Sequence, residues 1–131
     1  MWEVDPAFKD DCFTFVRIEY GSSGRRGGGG WSNDYPDGDW NFSYRLQELT
    51  SMKVDPNGRV LRLTDPELYD FPFIYMSNVQ GMYLSSAEAA CLRKYLLNGG
   101  FLMADDFWTP RAWRHVKREM TTVFPVVNRA N

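Results

Sequence analysis

Two adjacent aspartates, Asp105 and Asp106, close the segment GGFLMADDFW at residues 99–108, behind four apolar residues and ahead of Phe107 and Trp108. A carboxylate pair at a strand end has two chemistries open to it. It ligates a hard cation such as Mg²⁺ or Ca²⁺, which prefers oxygen donors, or it divides into general acid and general base when burial separates the two pKa values. Asp34, Asp37 and Asp39 stand upstream in WSNDYPDGDW, so Asp34, Asp105 and Asp106 are the candidate metal ligands and candidate catalytic groups. The competing role is structural: one aspartate caps the following helix near its positive end and the other faces water.

Other reactive side chains are few. The chain holds one histidine, His115, and two cysteines, Cys12 and Cys91. One imidazole excludes a histidine-rich metal centre. Two cysteines are too few for a disulfide framework, and both read as small buried apolar residues. His115, beside Arg114, reads as solvated on a polar helix face. The segment GSSGRRGGGG, 21–30, with Arg25 and Arg26, has the composition of a phosphate cradle. It matches neither the P-loop nor the dinucleotide fingerprint, and an open surface loop is the plainer reading. Trp31, Tyr35, Trp40 and Trp108 offer an aromatic platform for a sugar or a peptide, with core or rim packing as the alternative.

The elements that carry these residues follow from periodicity. FTFVRIEY, residues 13–20, is β-branched and aromatic and alternates through Arg17 and Glu19, a strand. A long glycine-rich loop spans 21–40, and Asp39 or Asn41 caps a helix with Phe42, Leu46 and Leu49 as its apolar stripe. DPNG at 55–58 is a turn, 60–63 a short strand, 65–71 a helical turn or loop, and 72–77 a buried strand. Ser85 and Glu88 form a capping box for a helix running to about Leu97, with Cys91, Leu92, Tyr95 and Leu96 inward. Asn98-Gly99-Gly100 ends it, 101–104 is the next buried strand, and Thr109-Pro110 opens a last helix. That helix buries Trp113, Val116 and Met120 and carries Arg111, Arg114, Lys117 and Arg118 on its other face, ordinarily a solvated face and otherwise a seat for an acidic partner. Strands alternating with amphipathic helices predict a single α/β domain over 1–131, a sandwich with a largely parallel central sheet. The final strand is either missing or supplied by VVNRAN. In such a sheet ligands bind beyond the carboxyl ends of the strands, where the 21–40 loop, SNVQG at 77–81 with Asn78, and 105–108 all emerge.

Composition narrows the partners. The formal net charge of −2 opposes a general nucleic-acid or anionic-membrane surface. No apolar run approaches the roughly 20 residues of a membrane span, and MWEVDPAFKDD has neither the charged nor the apolar region of a signal peptide. Aromatics make up 16% of the chain with five tryptophans, so some rings must lie at the surface or line a cleft.

WSNDYP with Asp39 and Asn41, LQELT, FPFIYM, LSSAEAACLRKYLLNGGFLMADDFW, a Trp-bearing helix and VFP together resemble the bacterial family called domain of unknown function 4159, over roughly residues 13–125. Members of that family are similar to class I glutamine amidotransferase-like domains, which implies a flavodoxin-like fold and an extracytoplasmic (periplasmic) or membrane-associated setting. In an active glutamine amidotransferase the corresponding strand ends in a glycine-flanked cysteine, the nucleophile elbow. Here it ends in Ala104-Asp105-Asp106, Cys91 sits mid-helix, and no catalytic residue carries over, so glutaminase activity is not expected.

Two functions follow. One is a non-catalytic module for protein–protein interaction or ligand binding, using Trp31, Asp34, Tyr35, Asp39, Asn78, Asp105, Asp106, Trp108 and Arg111. It needs no cofactor, and its partner is another protein or a second copy, with no nucleic acid and with membrane association only through that partner. The alternative is a divalent-metal-dependent hydrolase using Asp34, Asp105 and Asp106 with Mg²⁺ or Ca²⁺.

Overall fold

A computed structural model describes residues 2–8, 11–22 and 30–125. Arg25 and Arg26 of the glycine loop, and VVNRAN at the end, lie outside the described residues. The principal elements are β1 (Val16–Ile18), β2 (Gly21–Ser22), α1 (Asp37–Leu49), β3 (Arg59–Leu61), β4 (Phe73–Met76), β5 (Met82–Tyr83), α2 (Ser86–Leu97), β6 (Phe101–Ala104) and α3 (Pro110–Val123). Four of the strands form one parallel sheet in the order β3-β1-β4-β6. β2 and β5 pair antiparallel as a separate ribbon. The architecture is α/β with a mostly parallel sheet flanked by helices, compatible with a flavodoxin-like fold.

Alternation along the strands sorts side chains to two different faces. Val16, Ile18, Leu61, Ile74 and Met76 point to one side and pack with Ala89, Leu92 and Tyr95 of α2 and Val116 and Val123 of α3. Arg93 of α2 donates to the Val123 and Thr122 carbonyls, satisfying the last acceptors of α3. The opposite face carries Phe13, Phe15, Arg17, Phe73, Tyr75, Phe101 and Met103, and α1 meets it through Phe42 and Asp39. This second layer is incomplete over β6: Phe101 is 61% and Met103 41% exposed. The strand expected to be buried is therefore covered on one face only.

Local signals explain most boundaries. The Ser85–Glu88 box forms in both directions, Ser85 Oγ accepting from the Glu88 amide at 3.1 Å and Glu88 Oε2 accepting from the Ser85 amide at 2.7 Å. Gly99 ends α2 with φ +93°, and a Cβ at Gly100 would stand 2.2 Å from the Tyr95 ring. Thr109 caps α3, with Pro110 in its first turn.

Several sequence-level expectations need correction. The regular first strand is shorter, Val16–Ile18, with only a bridge from Phe13 to Val54 before it. The 21–40 stretch is not one loop: it contains β2, a 3₁₀ turn at Gly30–Ser32 and the start of α1. Helix α1 starts at Asp37 without a side-chain cap, so neither Asp39 nor Asn41 caps it. Its buried positions are Asp39 and Ser43, while Leu49 is exposed and Phe42 half-exposed. A buried arginine beneath the helix attracts a polar stripe, which the apolar pattern does not reveal. In α3 Trp113 is exposed and His115 buried, the reverse of the expected faces. Cys12 and Cys91 are each half-buried rather than fully buried, and they do not form a disulfide with each other.

Candidate functional site

The sheet order makes the chain leave β1 for β3 on one side and return to β4 on the other. The crevice of such a sheet opens at the carboxyl ends of β1 and β4, where the connections diverge. Tyr20, two residues past β1, reaches across it. Its hydroxyl lies 2.6 Å from the Ser77 carbonyl and 2.8 Å from that of Asn78 and donates to them. Burial pushes the Tyr20 pKa well up; Arg17 opposes this, and Asp106 and Tyr75 add to it. Gly30 closes the crevice from above: a Cβ there would meet Asn78 Nδ2 at 2.5 Å and the Tyr20 hydroxyl at 3.1 Å.

Beneath this lid lies Arg17, 1% exposed. Its Nε donates to Asp39 Oδ1 and Oδ2 at 3.0 and 3.1 Å, and its Nη2 also bonds Oδ1. Nη1 donates to the Trp31 and Asn33 carbonyls at 2.7 and 3.0 Å. The guanidinium carbon lies 4.9 Å from the Tyr75 ring centre and 5.7 Å from that of Tyr35. One side chain thus ties β1, the 31–33 turn and α1 together, with charge-assisted hydrogen bonds and ring faces meeting the cation.

The carboxylates at the rim are held individually. Asp105 takes the Tyr75 hydroxyl on both oxygens at 2.9 Å. Burial is the main reason that the Tyr75 pKa is raised, and Asp105 adds to it. The Asp105 backbone bonds Met76 and Val79 on the neighbouring β4 connection. Asp106 accepts from Asn33 Nδ2 at 2.9 Å, so the turn before α1 does reach the end of β6. Asp34, Asn78 and Asp106 all have positive φ, at 58°, 54° and 62°, one in each of the three rim connections. Asn and Asp tolerate this region better than other side chains.

Among the candidates, Asp34, Asn78, Asp105, Asp106 and Trp108 stand on the rim, and Asp39 is withdrawn into the Arg17 pair. Among the described residues no three of His, Cys, Asp and Glu are grouped so as to hold a metal ion. Trp31 packs partly into the core and against Tyr35, ring centres 6.1 Å apart. Tyr35 and Trp40 are about half exposed, and Trp108 is 82% exposed. Arg111 lies on α3 and lines a cleft with Gln80, Tyr83 of β5 and His115.

Sequence reasoning missed Arg17, Tyr20, Tyr75 and His115. The one available signal was a lone arginine alternating within an aromatic strand. His115 is 9% exposed, with Nε2 2.6 Å from the Met82 carbonyl and its ring against Tyr83. It is not solvated, because a backbone acceptor on another element holds it. The wider hollows, of about 610, 730 and 880 Å³, are open and lie away from this rim, two of them around Phe71 and Pro72 before β4.

No helix among the described residues is long and apolar enough to cross a membrane. A family model described as "Domain of unknown function (DUF4159)" matches residues 14–129. No match appears among curated proteins.

Proposed function

The chain belongs to the DUF4159 family, and we propose that this domain is a non-catalytic, glutamine amidotransferase-like binding module that engages another protein through the aromatic rim at the carboxyl end of its sheet. The observation that carries this reading is the filled crevice. Tyr20, Asn78 and Gly30 occupy the place where this kind of sheet otherwise receives a ligand. The carboxylates around it are engaged with Arg17, Tyr75 and Asn33.

What remains outward is aromatic. Trp108, Tyr35 and Trp40 project around a rigid hydrogen-bonded frame. Exposed aromatics on a rigid support are the side chains that dominate protein interfaces, because they contribute large contact area at little entropic cost. The setting implied by the family resemblance, an extracytoplasmic or membrane-associated assembly, agrees with a module that reaches a membrane only through its partner.

A photocrosslinking residue at position 108 tests the reading in the source cell. A single discrete adduct from position 108, with none from the exposed Leu97 at the far end of α2, is the expected result. Calorimetric titration with Mg²⁺, Ca²⁺ and Mn²⁺ runs beside it. Saturable binding that disappears in both Asp105→Asn and Asp106→Asn would overturn the module in favour of the metal-dependent hydrolase.

A further inference from the structure

Helix α3 carries Arg111, Arg114, Lys117 and Arg118 with no carboxylate partner among the described residues. Its one acidic residue, Glu119, is turned inward, accepting the Leu84 amide at 2.9 Å. Four cations thus gather on one helix of a chain whose net charge is −2. Like charges three and four residues apart repel along a helix. Arg111 and Arg114 also lie in its first turns, near the positive end of the dipole. Both terms disfavour the cluster until an anion sits against it.

A cleft of about 360 Å³ lies where that anion would sit, lined by Gln80, Tyr83, Thr109, Arg111, His115 and Arg118 and by no acidic side chain. Arg111, His115 and Arg118 follow at i, i+4 and i+7 and so share one helix face. His115 positions the arginine. The Met82 carbonyl only accepts, so Nε2 carries a proton and the ring is fixed with Nδ1 facing the cleft-side arginine. Arg118 Nη2 stands 3.5 Å from that nitrogen. Thr109 Oγ accepts from the Ala112 amide at 3.0 Å and keeps its own proton to give. Tyr83, packed on the His115 ring, forms an aromatic wall.

We propose that this cleft between α3 and the Gln80–Tyr83 segment binds the dianionic phosphate group of a small ligand, clamped by Arg111 and Arg118 with Thr109 and Gln80 as neutral donors. A volume of this size suits a small molecule, and paired guanidinium groups match a phosphate's oxygens. The cleft adjoins the aromatic rim, since Thr109 directly follows Trp108, but the proposal does not rest on the rim's role and the two are tested by different measurements.

The test titrates the full chain with inorganic phosphate and with phenyl phosphate at constant ionic strength, by calorimetry and thermal melting. Saturable binding by either probe is expected, with a raised melting midpoint. Stronger binding of phenyl phosphate assigns the group to a carried monoester, and stronger binding of inorganic phosphate to the free ion. Arg111→Gln combined with Arg118→Gln should weaken binding by at least roughly tenfold while leaving the circular dichroism unchanged. Arg45→Gln, the same charge removed from the exposed side of α1, should leave it intact. No saturation with either probe, or an equal loss in Arg45→Gln, would overturn the proposal. So would binding seen only with duplex DNA or anionic vesicles and not displaced by phosphate.

Discussion

Arg17 of β1 and Asp39 of α1 form a buried ion pair, 22 residues apart in the chain, with side chains 1% and 5% exposed. The pair joins β1, an inner strand of the sheet, to α1 on that face and anchors the turn that delivers Asn33 to Asp106. Neither residue's neighbours in the chain announce it. Removing one partner of such a pair leaves an uncompensated charge in a dry environment, which costs about 3–5 kcal/mol.

Arg17→Met and Asp39→Ala should each lower unfolding stability by that order in urea titration. The double variant Arg17→Met with Asp39→Leu should lose less than Arg17→Met alone, since no charge is stranded. A larger loss in the double variant would show that a stranded Asp39 carboxylate is not what destabilises Arg17→Met.

Tyr20→Phe removes the hydrogen that reaches the Ser77 and Asn78 carbonyls and should cost about 1–3 kcal/mol, the penalty for an unpaired buried acceptor. It should also change the alkaline limb of stability. The folded Tyr20 holds its proton above the ordinary value of 10.0. Its contribution is therefore present below pH 10 and is lost as pH climbs above it, because the unfolded chain releases the proton first. Tyr75 has the same sign. Thermal melts between pH 8 and 11, values chosen to bracket roughly that tyrosine range, should show a shallower alkaline decline in Tyr20→Phe. An unchanged slope would refute the linkage.

Asp105→Asn keeps an acceptor for the Tyr75 hydroxyl and should shift stability by less than about 1 kcal/mol, whereas Asp105→Ala should cost about 1–2 kcal/mol. Chemical denaturation of the two variants measures the difference. Equal losses would place the importance of Asp105 in its charge.

Asp106, at φ 62°, separates backbone from side chain. Asp106→Gly relieves the left-handed conformation at the cost of one exposed hydrogen bond from Asn33 and should stay near wild type. Asp106→Val forces a β-branched residue into that conformation and should cost about 1–3 kcal/mol. Thermal midpoints of the pair decide it, and equal values would mean that the turn relaxes.

Local and periodic features were legible from the residues alone. The capping box at Ser85, the Gly99 stop, the Thr109-Pro110 start and the apolar run of β4 each depend on neighbours within a few positions, so sequence spacing contains them. The alternation of strands and helices likewise pointed to a parallel α/β sheet. Only the tertiary structure decided what crosses the sheet. Arg17 meets Asp39, Tyr75 meets Asp105, Asn33 meets Asp106 and His115 meets Met82, all over separations of 22 residues or more. A buried polar side chain goes wherever its hydrogen bonds are satisfied. That requirement turned Asp39 inward, drew His115 out of solvent and left the apolar Trp113 outside, overruling the helix faces that hydrophobic periodicity had assigned.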